Sequence, residues 1–304
     1  MSGAERIGWL GAGRMGSALC RRLLDGGVAT AVWNRTPARC APLARAGASV
    51  AASIGELAAA SDVVFVTVAA PADLEQVTIA AGGLLDPAGP HPAVVVDCST
   101  VSEETSAAVR AAAGAAGVGY LAAPVSGNPQ VVRSGRAAVV ASGPEPVFDR
   151  VRPYLDLLAA SVTRVGEHEE ARLVKLCHNL FAGAVTQALV EATALAEKGG
   201  VPRAAFLDFL AGSVLGSEFL AVKGAAIAGR DYRPTFTAAL LRKDLDLALA
   251  AARRLEVPVP AAAAVYQQLQ AAIGHGLGEL DYAALYEFQA HVAALPPDAG
   301  QRAT

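Results

Sequence analysis

The feature that most constrains the fold is a glycine-rich turn near the start of the chain. A short apolar segment, Arg6–Leu10, precedes it, and Ser17–Leu24 after it has the pattern of a helix. The turn consists of six consecutive residues, Gly11, Ala12, Gly13, Arg14, Met15 and Gly16. In such a strand–turn–helix, the first glycine allows the tight turn, the second lets a pyrophosphate approach the backbone, and the third lets helix and strand pack closely. The turn predicts a dinucleotide site contacted by these six residues; the alternative is a purely structural turn.

The end of the second predicted strand indicates which dinucleotide is bound. Sites for NAD place an Asp or Glu about 20 residues after the glycines, where it accepts from the ribose hydroxyls. This chain has Asn34, Arg35 and Thr36 there and no carboxylate. An arginine pairs with a 2′-phosphate, which a carboxylate would repel. We therefore expect these three residues to contact the cofactor and NADP(H) to be preferred over NAD(H); the alternative is an ordinary surface arginine.

Strand and helix patterns alternate through the first half of the chain. Short apolar strands with helices between them indicate a parallel sheet covered on both faces. The predicted strands are 6–10, 30–34, 48–51, 62–68, 93–98, 119–122, 137–142 and 162–165. We predict an α/β fold with a Rossmann-type dinucleotide-binding domain over residues 1–166.

Beyond Gly166 the patterns are helical. The predicted helices are 169–198, 202–212, 217–228, 235–255, 258–275 and 281–294. The second domain, residues 167–304, is therefore expected to be all-α and to begin with the interdomain helix 169–198.

The helix from Glu169 to Lys198 is expected to be about 45 Å long at 1.5 Å per residue, long enough to run from one domain into the other. Near its start are Lys175, His178 and Asn179, and spacings of three and four place their side chains on one face. This face is a candidate edge of an active site; the alternative is a solvated polar stripe.

Lysine usage draws attention to two positions. Only four of the 25 basic residues are lysines, at positions 175, 198, 223 and 243. Arginine supplies a general positive charge, whereas only lysine provides a compact ammonium that can lose its proton. Lys175 and Lys243 are therefore the lysines most expected to have a chemical role.

Six segments in this order resemble the β-hydroxyacid dehydrogenases, also called the 3-hydroxyisobutyrate dehydrogenase family. They are GWLGAGRMG, VWNRT, DCSTVSEET, APVSGNPQVVRSG, RLVKLCHNL and RKDLDLAL. The resemblance implies an N-terminal dinucleotide-binding domain, a long connecting helix and a helical C-terminal domain. It also implies hydride transfer between NADP(H) and a small 3-hydroxy acid, or its semialdehyde or keto acid.

The resemblance assigns roles to matching positions. Lys175 matches the catalytic lysine, and Asn179 matches the amide that helps to hold the substrate. Ser126 and Gly127 match the loop that holds the substrate carboxylate. Oxidising an alcohol requires loss of the hydroxyl proton, and reducing a carbonyl requires its delivery, so a lysine at this position has a clear chemical task.

Further positions are expected to contact the cofactor. Thr100 matches a residue near the nicotinamide, and Lys243, with Asp244 beside it, matches a lysine that closes over substrate and cofactor. Val68 and Ala69, at the end of a buried strand, complete the expected cofactor contacts.

Three departures from the family pattern concern the substrate. The usual Ser-Gly-Gly loop is Ser126-Gly127-Asn128 here, Glu103 replaces a proline, and His178 replaces the first of two asparagines. We expect Asn128 and His178 to contact the substrate, although His178 could instead be an ordinary helix-face histidine. A substrate other than 3-hydroxyisobutyrate is expected.

Composition narrows the partners and the compartment. With a net charge of −3 and no basic run, nucleic acid is not an expected partner. No uncharged apolar run reaches the roughly 20 residues of a membrane span, and only MSGAER precedes the first strand, so neither a membrane nor a signal peptide is expected. The four cysteines are scattered and no metal site is predicted. Together these observations favour a cytoplasmic protein with reduced thiols.

Two other functions share the features described so far. An imine reductase has the same fold and a similar NADP signature, but it usually lacks the catalytic lysine and the full Ser-Gly loop. A non-catalytic dinucleotide-binding relative is the second alternative, and Lys175 argues against it. A 6-phosphogluconate dehydrogenase would need a longer C-terminal region. The helical domain has many apolar faces for its length, and the resemblance implies self-association through it, so we expect a homodimer or homotetramer.

Overall fold

The computed structural model describes residues 5–296. These residues divide into two compact units, the first ending at Leu176 and the second beginning at Cys177. The predicted boundary at residue 166 lies before this division, because the first turns of the long helix pack with the first unit: Ala171 belongs to one of its core clusters.

The first unit is built on a nine-stranded sheet. Its strands are β1 Ile7–Leu10, β2 Thr30–Trp33, β3 Ser49–Val50, β4 Val63–Val66, β5 Val94–Asp97, β6 Gly119–Ala122, β7 Val125–Ser126, β8 Ala138–Ser142 and β9 Ser161–Gly166. The order is β3-β2-β1-β4-β5-β6-β8-β7, with β9 paired to β8. From β3 to β6 all pairs are parallel, which confirms the predicted Rossmann-type arrangement.

The far end of the sheet differs from the prediction. Strand β8 runs antiparallel to β6 and β7 and parallel to β9, so the sheet is mixed rather than purely parallel. The short strand β7 was not predicted, because two residues carry no periodic pattern.

Helices cover both faces of the sheet. They are α1 Arg14–Asp25, α2 Ala41–Arg45, α3 Ile54–Ala59, α4 Pro71–Thr78, α5 Glu103–Ala115, α6 Pro129–Arg133 and α7 Glu145–Leu158, with a 3₁₀ turn at Pro37–Cys40. Because side chains alternate along a strand, Val63 and Phe65 lie in one core cluster while Val64 and Val66 lie in the other. The all-apolar strands thus result from burial on both faces.

Helices α6 and α7 were not predicted. Each has a proline near its start, and Pro153 lies inside α7. Proline is tolerated in the first turn, where its missing N–H would have no intrahelical partner, but it weakens the helix pattern elsewhere.

A single helix, α8 Glu170–Lys198, continues from the first unit into the second, as predicted. By length and composition alone, it is the one helix among residues 5–296 that could cross a membrane, a test that core helices of soluble proteins also pass. It contains the fully buried Arg172 as well as the buried Lys175 and Asn179, so the buried part of this helix carries polar groups.

The second unit is helical, as predicted. Its helices after α8 are α9 Arg203–Gly212, α10 Glu218–Gly229, α11 Ala238–Arg254, α12 Pro260–Ala272 and α13 Leu285–Val292, with a π-helical turn at Ile273–Leu277 and a 3₁₀ turn at Tyr282–Ala284. Thr237 and Asp281 form an isolated antiparallel bridge. The core of this unit includes Leu189, Ile227, Leu241, Leu269 and Tyr286.

Candidate active site

Most sequence-predicted site residues of the first unit follow the carboxyl ends of its parallel strands. The sheet order reverses between β1 and β4, and ligands of open α/β sheets bind outside the strand ends at this reversal. The glycine turn follows β1, Val68 and Ala69 follow β4, and Thr100 follows β5. Segments distant in sequence thus meet at one edge of the sheet.

Two glycines of the turn are required by the protein's own packing. Gly11 has φ +100°, and a Cβ there would lie 2.1 Å from the Thr67 carbonyl oxygen. A Cβ on Gly16 would lie 1.9 Å from the Gly11 carbonyl oxygen, which also accepts a hydrogen bond from Trp9 Nε1 at 3.1 Å. No side chain fits at either position.

Gly13 differs from these two. Its φ is −72°, within the range of any residue, and a Cβ built on it would meet no protein atom within 4 Å. Gly13 caps α1 without a side-chain hydrogen bond, so the first turn of this helix presents its N–H groups where an anion is favoured. A bare backbone here leaves room for a ligand, and the turn fits a dinucleotide pyrophosphate.

Asn34 holds the glycine turn in place. Its Oδ1 accepts from the Ala12 N–H at 2.8 Å, and its Nδ2 donates to the Thr36 carbonyl at 2.9 Å. The Gly11 N–H also donates to the Trp33 carbonyl, at 2.9 Å. The expected cofactor residues Asn34 and Ala12 are thus bonded to each other, which gives Asn34 a positioning role that the sequence did not indicate.

Arg35 and Thr36 are exposed beyond β2. The Arg35 side chain is 73% exposed, and its Nη1 lies 3.3 Å from Asp73 Oδ1 in the first turn of α4. No carboxylate ends β2 itself, as the sequence indicated, but Asp73 brings one to Arg35 from the first turn of α4.

The loop after β5 is held by hydrogen bonds to its neighbours. The Ser99 N–H donates to Asp97 Oδ1 at 2.9 Å, and Ser99 Oγ accepts from the Val68 N–H at 2.9 Å. This contact joins the loops that carry Val68 and Thr100, both predicted to contact the cofactor.

Arg172, which sequence reasoning did not identify, is the centre of a buried polar network in the first unit. Its guanidinium donates to Asp97 Oδ2 at 2.5 Å, to the Ser99 carbonyl at 2.7 Å, and to Ser106 Oγ and Tyr120 Oη at 3.0 Å each. The Arg172 and Asp97 side chains have no exposure. This network attaches the first turn of α8 to the end of β5, one helical turn before Lys175.

Electrostatics favour the charged form of Arg172. Burial lowers the pKa of its guanidinium, but the Asp97 carboxylate and Tyr120 more than offset this, so that pKa is raised overall. Burial raises the pKa of the Tyr120 hydroxyl well above its usual range, so Tyr120 is neutral. The one sequence signal for this pair was a polar residue at the end of an apolar strand, VVVD, which would not have identified its partner 75 positions away.

Lys175 lies in the second turn of α8 with a relative exposure of 8%. Lysine is rarely buried without a partner or a function. Its position is confined by the preceding turn, because Ala171 N donates to Ser142 Oγ at 3.1 Å and Arg172 is held by Asp97.

The predicted carboxylate loop has a defined shape in this structure. Gly127 has φ +133°, and its Cβ position would lie 3.0 Å from Val131 Cγ1. Asn128 caps α6: its Oδ1 accepts from the backbone N–H groups of Gln130 and Val131, each at 2.9 Å. The side-chain oxygen of Asn128 is therefore engaged in capping, as is common for an Asn before a first-turn proline, and contact of this residue with the substrate stays a prediction.

Glu103, the other departure on this side of the sheet, begins α5. Ser102 caps that helix by accepting from the Thr105 N–H at 3.2 Å. An acidic side chain in a first turn interacts favourably with the helix dipole, so Glu103 suits this position.

In the second unit, four predicted residues form a continuous polar chain. Asn179 Nδ2 donates to Asp244 Oδ2 at 2.6 Å, Asn179 Oδ1 is 3.0 Å from His178 Nδ1, and Lys243 Nζ is 2.8 Å from Asp244 Oδ1. Because a carboxylate only accepts, Asp244 fixes the orientation of the Asn179 amide, and His178 must then carry its proton on Nδ1. Asn179 and Asp244 are buried and His178 is exposed.

Residues 5–296 contain no group of three or more His, Cys, Asp or Glu side chains placed to hold a metal ion.

Two family models match the chain and together cover most of it. The model described as the NAD-binding domain of 6-phosphogluconate dehydrogenase matches residues 6–166. The model described as NAD-binding of NADP-dependent 3-hydroxyisobutyrate dehydrogenase matches residues 170–289.

Individual relatives support the family that these models indicate. The chain is 31% identical over 281 residues to glyoxylate/succinic semialdehyde reductase 1 of Arabidopsis thaliana, covering 92% of this chain and 97% of that protein. The crystal structure of 3-hydroxyisobutyrate dehydrogenase from Salmonella typhimurium superposes with a TM-score of 0.83 at 30% identity, covering 93% and 99% of the two chains.

An imine reductase from Pseudomonas sp. is more distant. Its TM-score is 0.62 at 24% identity, with 93% of this chain and 98% of the other covered. That likeness shows a shared fold only.

The glycine turn, the 3-2-1-4-5-6 strand order, both family models and these relatives agree. The chain is an NAD(P)-dependent oxidoreductase acting on CH–OH groups, and it belongs to the β-hydroxyacid dehydrogenase family, also called the 3-hydroxyisobutyrate dehydrogenase family.

Proposed function

We propose that this protein interconverts a small 3-hydroxy acid and its semialdehyde or keto acid, with NADP(H) as the cofactor and Lys175 as general acid/base. The observation that carries the proposal is the placement of Lys175. It is a buried lysine one turn after Arg172, whose buried network ends in the loop that bears Thr100.

The chemistry of the residues supports this assignment. A bound nicotinamide supplies the hydride acceptor or donor. Lys175 takes the hydroxyl proton during oxidation and returns it to the carbonyl oxygen during reduction. Asn179, one turn further along α8, holds the substrate in place through an amide whose orientation Asp244 fixes.

The loop at Ser126 and Gly127 is proposed to bind the substrate carboxylate. A serine hydroxyl and backbone N–H groups are suitable donors to a carboxylate. Lys243 is proposed to contact substrate and cofactor, with Asp244 as its ion-pair partner at 2.8 Å.

The preference for NADP(H) is proposed from Arg35 and Thr36. Both are exposed where the ribose of a dinucleotide is bound in this fold, and β2 ends without a carboxylate. If Arg35→Ala left the ratio of kcat/KM for NADPH and NADH unchanged, this preference would have another origin.

The substrate is proposed to be small and to carry a carboxylate. The relative named above is a glyoxylate and succinic semialdehyde reductase, and the matched structure is a 3-hydroxyisobutyrate dehydrogenase. His178, which replaces the usual asparagine, is exposed beside Asn179 and is the residue we expect to alter substrate choice.

A substrate panel tests the proposal. Glyoxylate, succinic semialdehyde and other small semialdehydes are supplied with NADPH, and small 3-hydroxy acids with NADP⁺, while the absorbance of NADPH is followed. We expect the protein to turn over at least one substrate that carries a carboxylate. We expect no turnover of the corresponding aldehyde that lacks the carboxylate. Turnover of a cyclic imine with none of these substrates would instead support imine reduction.

We also propose that the protein acts in the cytoplasm without a nucleic-acid or membrane partner. Three of its four cysteines are buried and all four are free thiols, which suits a reducing compartment. Fractionation of cells that express the protein would test this location.

A further inference from the structure

Arg35 has an acidic neighbour that the second strand does not supply. Asp73 lies in the first turn of α4, and its Oδ1 is 3.3 Å from Arg35 Nη1. The Asp73 side chain is 30% exposed and the Arg35 side chain is 73% exposed. The pair connects the loop after β2 to the first turn of α4, the helix that follows β4, and both border the predicted cofactor site.

The two charges act in opposite directions on a ribose 2′-phosphate. Such a phosphate monoester carries a charge of about −1.5 to −2 at neutral pH and forms strong charge-assisted hydrogen bonds with a guanidinium. Asp73 opposes this binding because it competes for Arg35 and because its own negative charge repels the phosphate. A ribose without the phosphate experiences neither effect.

We propose that Asp73 is a specificity-determining residue that limits the preference for a 2′-phosphorylated dinucleotide. The inference rests on the proposed cofactor role of Arg35. Arg35 attracts the 2′-phosphate, and Asp73 moderates that attraction so that the site accepts the unphosphorylated cofactor more readily than Arg35 alone would allow.

The alternative is that Asp73 only stabilises its helix. An acidic residue in a first turn interacts favourably with the helix dipole, and an exposed ion pair contributes little on its own. These roles change the free energy of unfolding and leave the discrimination between nucleotides unaltered.

Calorimetric binding of two nucleotide fragments separates these cases. The probes are 2′,5′-ADP, which carries the 2′-phosphate, and 5′-AMP, which lacks it; neither requires a substrate or turnover. In Asp73→Asn we expect 2′,5′-ADP to bind about threefold to tenfold more tightly, the scale of an exposed charge interaction plus the relieved repulsion, and 5′-AMP to change by less than about twofold. The kcat/KM ratio of NADPH to NADH is expected to rise by a similar factor.

The matched control is Asp25→Asn. Asp25 pairs with Arg21 at 2.7 Å on exposed surface and lies at the end of α1 opposite the glycine turn. Both affinities should match those of the wild-type protein. The inference is overturned if Asp73→Asn raises the affinity for 2′,5′-ADP relative to 5′-AMP by less than about twofold, which any exposed charge could do. It is also overturned if that relative affinity falls.

Arg35→Ala keeps this inference distinct from the proposed function. If Arg35→Ala weakens 2′,5′-ADP and Asp73→Asn has no effect, only the role of Asp73 fails. If Arg35→Ala has no effect on either fragment, the proposed preference for NADP(H) fails, and the role of Asp73 fails with it.

Discussion

At the scale of single residues, the glycines of the turn differ in why they are glycine. Packing within the protein requires Gly16, whereas only the approach of a ligand would require Gly13. Gly16 is needed because any Cβ would collide with the Gly11 carbonyl, whereas Gly13 has open space and an ordinary φ. The three glycines look equivalent in the sequence. Only the structure shows that one of them, Gly13, is not required to be glycine by the packing around it.

Substituting these two glycines should therefore give opposite results. Gly13→Ala should change the free energy of unfolding by no more than about 1 kcal/mol, the scale of an N-cap change, but weaken NADP⁺ binding at least about tenfold. Gly16→Ala should lose about 2 kcal/mol or more of stability through overpacking. Urea unfolding and titration of cofactor binding would measure both; a destabilised Gly13→Ala with normal cofactor affinity would contradict the account.

The contribution of the Arg172–Asp97 pair to stability is also a property of single residues. Removing one partner of a fully buried pair leaves an unpaired charge in the core, which typically costs about 3–5 kcal/mol. We expect Asp97→Asn to lower the free energy of unfolding by about that amount. Asp156→Asn, in the exposed Arg152–Asp156 pair, is the control and should cost less than about 1 kcal/mol. Equal losses in the two variants would show that burial does not determine the contribution of the pair.

At the scale of elements, Asp281 organises the approach to α11, the helix that carries Lys243 and Asp244. Its carboxylate accepts from Lys223 Nζ at 2.6 Å and from the Thr235 hydroxyl at 2.5 Å, and it also accepts from the backbone N–H groups of Thr235, Phe236 and Ala283. These donors come from α10, from the loop before α11 and from the turn before α13. One buried side chain thus joins three helices of the second unit.

This arrangement predicts a pH dependence of stability. Although burial alone would raise the pKa of Asp281, Lys223 and the other donors hold it below its usual range. The unfolded state therefore binds more protons near pH 4, and the stabilisation by Asp281 is present above about pH 4 and lost as pH falls through its folded-state pKa.

Asp281→Asn should be less stable than the wild-type protein at pH 7 by about 3 kcal/mol. That difference should shrink as the pH is lowered from about 4 to about 3, because the Asp281 carboxyl then binds a proton more readily in the unfolded state than in the folded state. Chemical unfolding at the two pH values measures it. A difference that stayed constant between them would contradict the assigned protonation.

At the scale of the whole molecule, exposed apolar side chains are concentrated in the second unit. They include Phe181, Leu195, Phe209, Val214 and Leu215, each more than 60% exposed. A large apolar surface on a globular protein commonly marks an interaction site. We therefore expect self-association of the chain through its helical unit.

Sedimentation of the purified protein tests this expectation. The wild-type protein should sediment as a dimer or tetramer, and Phe209→Asp combined with Leu215→Asp should shift it towards the monomer because a charge opposes burial of the surface. Val50→Asp, at an exposed apolar position of the first unit, is the control. A monomeric wild-type protein at micromolar concentration would refute the expectation.

The sequence predicted this fold well where the signal was local and repeated. Apolar strands, the glycine turn and the long helix all appear at or near their predicted positions because each depends on contiguous residues. The reversed direction of β8, the cap made by Asn128 and the Arg172 network were not predicted. Each depends on a partner chosen by tertiary packing, and a single sequence does not reveal such partners.

In the candidate site, too, local motifs were predictable from the sequence and tertiary partners were not. Motifs pointed to Lys175, Asn179, Asp244 and Arg35. The bond between Asp244 and Asn179, and the roles of Asp97 and Asp73, became apparent only from distances. Carboxylates are common on any surface, so their sequence positions alone carry little information about pairing.

The central claim, that Lys175 moves the proton, is tested most directly by kcat for Lys175→Met and Lys175→Arg with a substrate identified in the panel. Lys198→Met, which removes a lysine at the other end of the same helix, is the control, and NADP⁺ affinity reports that each variant is folded. We expect kcat to fall at least about 100-fold in both Lys175 variants, because the methionine side chain has no titratable proton and the arginine side chain does not release its proton. The kcat of Lys198→Met should stay near the wild-type value. Turnover within about tenfold of wild type in either Lys175 variant, less than general acid–base catalysis ordinarily contributes, would contradict the claim.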